Sequence, residues 1–117
     1  MIHSWAGSKA VRSVFALGVV AIVLVSVLPA EYVSASTMND KVAHFLAYAI
    51  VGCVGAVGFL YSKRLLPILF ALVIMGVGLE FCQAYIPGRA FDVGDMIANG
   101  LGALLVPVAV QLFFKKT

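Results

Sequence analysis

The stretch DVGDMIANG, at residues 92–100, places two carboxylates and a primary amide within about two turns of a predicted helix. Asp92, Asp95 and Asn99 lie three and four residues apart, so they share one face of that helix. In a chain of which 63% of the residues are hydrophobic, such a polar face needs partners. We therefore expect the remaining polar side chains of the sequence to supply them.

The composition is that of an integral membrane protein. The chain has 117 residues, eight basic and five acidic, and a mean hydropathy of +1.11. This length allows one domain at most. Its apolar segments reach the roughly 20 residues that a transmembrane helix needs. Since the net charge of +3 belongs to a membrane protein, we expect no nucleic-acid partner.

The apolar runs predict an all-α fold with four transmembrane helices in an up-and-down bundle. We expect these helices at about residues 11–28, 41–61, 65–86 and 95–114. Pro29 ends the first helix, and Pro87 with Gly88 ends the third. The first helix has an alternative interpretation as a signal peptide, since Val-Ser-Ala at 33–35 resembles a cleavage pattern. Its apolar run is at the long end for a signal core, which favours an uncleaved helix.

The distribution of charge predicts the orientation of the bundle. Six of the eight basic residues fall on one side of it: Lys9, Arg12, Lys63, Arg64, Lys115 and Lys116. The positive-inside rule then places both termini in the cytoplasm. The five acidic residues lie at or near the opposite face: Glu31, Asp40, Glu80, Asp92 and Asp95. We therefore predict a polar site at the extracytoplasmic face.

Polar side chains of three predicted helices reach a common depth at that face. His44, Glu80 and Asn99 each lie on the order of 5–10 Å inside the boundary, at a rise of 1.5 Å per residue. The predicted catalytic residues are His44, Glu80, Asp92 and Asp95. The predicted substrate-binding residues are Asp40, Tyr48, Gln83, Arg89 and Asn99.

Several of these residues have structural alternatives. Asp40 and Asp92 are well placed as helix N-caps, and Asp95 as a first-turn acid that the helix dipole favours. Tyr48 is typical of a packing residue with a hydrogen-bonded hydroxyl. Lys41 and Arg89 can hold phosphate head groups; we prefer this role for Lys41 and not for Arg89. Asn99 can form a hydrogen bond between helices.

Glu80 is harder to explain by structure alone. It lies inside the third helix, caps nothing, and has no basic residue within a turn of sequence. An ionisable group at such a position is costly and usually functional, and it needs a partner. His44 and Arg89 are the candidate partners.

No metal or cofactor is predicted. One histidine with several carboxylates can hold a divalent cation through nitrogen and oxygen ligands. However, no paired-histidine motif such as HExxH is present. The sequence also shows no nucleophilic serine or cysteine beside His44 and no glycine-rich phosphate loop.

Three motifs together resemble the VanZ-like family. DKxxHFxxY begins at Asp40, ExxQ at Glu80, and RxxDxxDxxxNxxG at Arg89, so the resemblance covers about residues 40–102. It implies a small protein of the bacterial inner membrane with a role in the cell envelope. Members of this family are linked to reduced susceptibility to the glycopeptide teicoplanin.

Three functions are consistent with these residues. An enzyme acting on a membrane lipid or a lipid-linked envelope precursor would use His44 and Glu80 as an acid–base pair, with Arg89 holding an anionic group. A binding or assembly protein would use the same groups to hold a lipid, a glycopeptide or a partner protein. A proton- or ion-coupled transporter is less favoured, because transporter sites lie near the bilayer midplane. A homodimer along the small residues of the second helix, at positions 52, 55 and 56, fits either of the first two.

Overall fold

The computed structural model describes residues 6–29, 40–60 and 62–115, and within these ranges the chain is all-helical, without strands. Its helices are α1 (Lys9–Val27), α2 (Asp40–Gly58), α3 (Leu65–Gln83) and α4 (Val93–Lys115). Nineteen helical residues extend about 29 Å, close to the thickness of a bilayer's hydrocarbon core. Each helix is long and apolar enough to cross a membrane. The predicted all-α class and the four predicted helices are therefore confirmed.

The main differences from the predicted boundaries lie at the end of α2, which ends at Gly58 instead of residue 61, and at the end of α3. This helix ends at Gln83, three residues before the expected Ile86. The backbone N–H of Ala84 donates to Phe81, and that of Ile86 to Gln83, so the chain leaves the α-helix through a tighter turn. The cause is Pro87, because the residue before a proline is disfavoured in the helical conformation.

Contacts between helix ends show that sequential neighbours run antiparallel. Lys41, at the start of α2, contacts Asp92, just before α4. At the opposite end of the bundle, Arg12 Nε of α1 donates to the carbonyl oxygen of Gly58 at 2.8 Å. We call the end formed by the C-termini of α1 and α3 and the N-termini of α2 and α4 the polar end.

Helices α2 and α4 pack closely because small residues face each other. A Cβ atom added to Gly102 would overlap the carbonyl oxygen of Phe45. A Cβ atom added to Gly52 would lie 2.5 Å from Pro107 Cγ. Without side chains between them, the two backbones approach more closely than ordinary residues allow.

Helix α1 packs on another side of α2. A Cβ atom on Gly55 would lie 2.8 Å from Phe15 Cε1 of α1. Gly52, Gly55 and Ala56 are all buried within one chain. The face for which the homodimer was predicted is thus covered within the single chain.

The contacts of α1 favour its interpretation as a permanent helix of the bundle over a signal peptide. Its first turn is joined to the end of α2 by Arg12, and its last turn to α3 by Gln83. Residues 30–39, which include the cleavage-like pattern and Glu31, lie outside the described residues.

The contact at Gly102 predicts a specific loss of stability. Gly102→Ala should lower the free energy of unfolding by about 1–3 kcal/mol, because the added methyl group meets backbone atoms that cannot rotate away. Thermal unfolding of the purified protein in detergent measures the effect. The control is Gly78→Ala, since nothing lies within 4 Å of a Cβ atom at Gly78. Equal behaviour of the two variants would contradict the close approach of α2 and α4.

Candidate functional site

His44 joins α2 to α4 at the polar end. Its Nδ1 lies 2.8 Å from Asn99 Oδ1, and its Nε2 lies 3.9 Å from Asp95 Oδ2. Asp95 and Asn99 are four residues apart and so face the same side of α4. The hydrogen bond confirms the predicted role of Asn99 between helices. With the amide oxygen of Asn99 as acceptor, Nδ1 of His44 is the donor of this bond.

Glu80 of α3 completes this group from a third helix. The residue is only 1% exposed, and its Oε1 accepts a hydrogen bond of 2.8 Å from the backbone N–H of Asp92. One donor atom each of His44, Glu80 and Asp95 lie within 4.8 Å of one another. The predicted convergence of three helices at one level is confirmed. The hydrogen-bonded partner of Glu80 is a main-chain group, which side-chain spacing could not reveal.

Asp95 is buried beside His44, with 8% of its surface exposed. Its Oδ1 has no hydrogen-bond partner among the described residues. The nearest cation is Lys41, whose Nζ lies 3.6 Å from Oδ1 and therefore beyond hydrogen-bond distance. A buried carboxylate oxygen without a hydrogen bond is unusual, because each such group costs free energy.

Asp92 lies at the rim of the site, with its carboxylate turned toward Lys41. Asp92 Oδ2 accepts from Lys41 Nζ at 2.8 Å, and Oδ1 accepts from the backbone N–H of Gly94 at 2.8 Å. The second bond confirms the predicted N-cap of α4. The hydrogen bond from Lys41, with a smaller effect of that from Gly94, lowers the pKa of Asp92 below its ordinary value. Lys41, expected to hold lipid head groups, instead belongs to the site.

Arg89 and Gln83 donate hydrogen bonds to the C-terminal end of α1. Arg89 Nη2 donates to the carbonyl oxygen of Val25 at 2.7 Å, and its Nε donates to that of Leu28 at 3.0 Å. Gln83 Nε2 donates to the carbonyl oxygen of Ser26 at 3.1 Å. The carbonyl of Val25 also accepts a longer bond of 3.3 Å from the backbone N–H of Leu28, since Pro29, four residues on, has no N–H to donate. Of the two candidate partners of Glu80, Arg89 donates to α1 instead, and His44 lies in the same group as Glu80.

A cavity of about 440 Å³ lies beside this group, between α1 and α2. Its polar lining residues are Ser26, His44, Tyr48, Gln83 and Arg89. The remaining lining residues are apolar: Gly18, Ala21, Ile22, Val25, Ala43, Ala47, Ile50 and Val51. Four predicted site residues thus face the cavity, whereas Glu80, Asp95 and Asn99 do not line it.

Two predicted substrate-binding residues need separate comment. Tyr48 is buried, with 3% of its surface exposed, and its hydroxyl has no hydrogen-bond partner among the described residues. A Cβ atom on Gly76 would lie 3.2 Å from that hydroxyl, so a glycine there makes room for it. Asp40 is the first residue of α2, and its side chain lies outside the described part of the structure.

The contribution of α1 to the cavity was not found from the sequence. Five of the lining residues belong to this helix, although it carries no motif. The available signal was the pair of small residues Gly18 and Ala21, three apart and therefore on one helix face.

Comparison with known proteins places the chain in a family. The VanZ/LLP1 family matches residues 8–114, nearly the whole chain. The chain belongs to the VanZ/LLP1 family. This VanZ/LLP1 chain is also 37% identical, over 82 residues, to an uncharacterized protein of the yeast Schizosaccharomyces pombe.

The yeast relative is a longer protein. The match covers 68% of this chain and 51% of the relative, so it extends over about half of that protein's length. No solved structure matches the chain. Together with the four apolar helices, the family indicates a multi-pass membrane protein.

The ion pair between Lys41 and Asp92 predicts a pH dependence of stability. Because the pKa of Asp92 is lower in the folded state, its stabilisation is present above the ordinary value of 3.8 and is lost as the pH falls through the lowered value. The thermal unfolding midpoint should therefore fall as the pH drops below 3.8. In Lys41→Met this fall should be smaller, because Asp92 loses its main hydrogen bond.

The control for this measurement is Lys63→Met, which removes an exposed lysine at the opposite end of the bundle. It should unfold with the same pH dependence as the wild type. An equal pH dependence in Lys41→Met and the wild type would show that the ion pair contributes nothing to stability.

Proposed function

We propose that this protein binds a membrane lipid or a lipid-linked envelope precursor in the cavity, and that His44 and Glu80 catalyse proton transfer on it. One observation carries the proposal: His44 lines the apolar cavity and is also held by the buried polar residues of α4. A histidine between an apolar cavity and buried carboxylates is well placed to transfer a proton to or from a bound molecule.

The shape and polarity of the cavity support a lipid ligand. Its volume of about 440 Å³ lies in the range of ligand pockets, and its apolar lining suits an acyl or isoprenoid chain. Arg89 lies at the polar end of the lining and uses two of its five N–H groups on α1, among the described contacts. The other N–H groups can bind a phosphate or carboxylate of the ligand.

The relative in a yeast supports the same choice of ligand. A phospholipid occurs in bacterial and eukaryotic membranes alike, whereas a cell-wall precursor does not. We propose the link to reduced teicoplanin susceptibility, which the family resemblance implies, as a consequence of an altered envelope lipid.

Each polar residue of the site has a role in the proposed chemistry. His44 exchanges the proton with the ligand, Glu80 acts as its acid–base partner, and Asp95 stabilises the charge that forms on the ring. Asn99 fixes the orientation of the ring through Nδ1. Asp92 has a positioning role, because its backbone N–H donates a hydrogen bond to the carboxylate of Glu80. The reaction class that fits these groups is hydrolysis or group transfer.

Lipid analysis of expressing cells tests the enzyme hypothesis. Wild-type protein should produce a modified envelope lipid, and Glu80→Gln and His44→Ala should produce at least a hundredfold less, the lower range for loss of a proton-transfer group. Mass spectrometry of total lipid, at matched protein levels, makes the measurement. Tyr85→Phe, at a residue 89% exposed, serves as the control with full product.

A binding protein without turnover is the second candidate function. The contacts of Arg89 and Gln83 favour it. Both side chains already donate hydrogen bonds to α1, so they stabilise the fold as well as line the cavity. In this case total lipid is unchanged in all strains, and the same lipid copurifies with the wild type and with Glu80→Gln. That result would remove the enzyme hypothesis.

The proposed location is a bacterial inner membrane with the polar end outside, and labelling tests this orientation. In a background without Cys53 and Cys82, Ala90→Cys should react with a membrane-impermeant maleimide in intact spheroplasts. Lys63→Cys, at the opposite end, should react only after lysis. Both positions are exposed, so access depends on the side of the membrane. The reverse pattern would place the polar end in the cytoplasm.

A further inference from the structure

Three side chains of types that bind metals, His44, Glu80 and Asp95, meet between α2, α3 and α4. Of these three, only His44 also lines the cavity. We propose that His44, Glu80 and Asp95 together bind one divalent transition-metal ion, such as Mn²⁺ or Zn²⁺. One donor atom of each residue lies within 4.8 Å of the other two. The sequence predicted no metal, because it offers no paired-histidine motif; the arrangement in space provides the reason to propose one.

The orientation of the His44 ring is the first argument. Nδ1 donates its hydrogen to Asn99 Oδ1, which leaves the lone pair of a neutral ring on Nε2. Nε2 lies 3.9 Å from Asp95 Oδ2, so two acceptor atoms face each other. This contact is unfavourable for a neutral ring unless a positive charge lies between the two atoms, which either a proton on Nε2 or a bound cation supplies. Metal-binding histidines are usually held in this way, with the second ring nitrogen donating to a neighbouring oxygen.

The buried oxygen of Asp95 is the second, independent argument. Asp95 is 92% buried, since 8% of it is exposed, and its Oδ1 has no hydrogen-bond partner among the described residues. Lys41 Nζ, at 3.6 Å, is too distant to donate a hydrogen bond to it. The Lys41 ammonium is an ion-pair neighbour of this oxygen but gives it no hydrogen bond, whereas a bound cation would contact the oxygen directly.

Charge and geometry agree with a divalent ion. Two carboxylates balance its charge, which reduces the cost of holding both of them away from water. Ligand atoms about 2.1 Å from one ion lie roughly 3–4 Å from each other, so a small contraction of the observed group is sufficient. One imidazole with two carboxylates is a donor set that suits Zn²⁺ or Mn²⁺ better than Ca²⁺.

A metal at this position would change the role of His44 in the proposed chemistry from proton transfer to ligation. Three protein ligands leave a coordination position for water or for an oxygen of the ligand. The proposal does not depend on the lipid chemistry, because metal binding is measured on the purified protein alone. Either proposal can therefore fail while the other stands.

Metal binding by the full chain, purified in detergent and stripped with a chelator, tests the proposal. Titration with Mn²⁺, followed by electron paramagnetic resonance and calorimetry, should give one bound ion per chain, displaced by Zn²⁺. Asp95→Asn and Glu80→Gln should bind at least tenfold more weakly. Asn99→Ala should weaken binding by about 10–100-fold, because Asn99 orients the ligating ring.

The matched control is Cys82→Ser, which removes an exposed potential metal ligand of α3 that is outside the ligand group and should leave the affinity unchanged. Helical circular dichroism and elution volume identify variants that fail to fold. Independently of any variant, Mn²⁺ should raise the thermal unfolding midpoint of the wild type. No bound ion in the wild type, or equal binding by the wild type and all variants, would overturn the proposal.

Discussion

The close approach of α2 and α4 is the constraint on which the polar end depends. Gly102 leaves no side chain between its helix and the backbone at Phe45. Asn99 lies three residues before Gly102, and His44 precedes Phe45, so the same contact brings their side chains within hydrogen-bond distance. If the helices were farther apart, the side chains of His44 and Asn99 would be buried without this hydrogen bond. Inside a membrane, water would not replace it.

The connection between α3 and α4 has a comparable importance for the buried acids. It supplies the backbone N–H that holds Glu80, the capping group of α4, and the arginine that reaches α1. Carboxylates within the thickness of a membrane persist only where donors or cations compensate them. Here the donors come largely from main chain and from residues just outside the helices, so the site is completed by a loop and not by helix faces alone.

Features that depend on local helix geometry could be predicted from the sequence, whereas features that depend on contacts between distant residues could not. Helix number, approximate position and the common depth of His44, Glu80 and Asn99 follow from local rise per residue, so they could be predicted. The direction in which Arg89 points could not, because it depends on where the carbonyl groups of the last turn of α1 lie in space. The cavity could not be predicted either, since its α1 wall consists of ordinary small and branched apolar residues.

The fastening of α1 has a kinetic consequence. The carbonyl oxygens of Val25, Ser26 and Leu28 are held from one side by Gln83 and Arg89, while the first turn of the helix is tied to Gly58. If the last turn of α1 swings outward to admit a molecule from the bilayer, all three hydrogen bonds break together. On this route, the rate at which the three hydrogen bonds break would set the residence time of a bound molecule. The strength of its contacts with the apolar residues of the cavity would matter less.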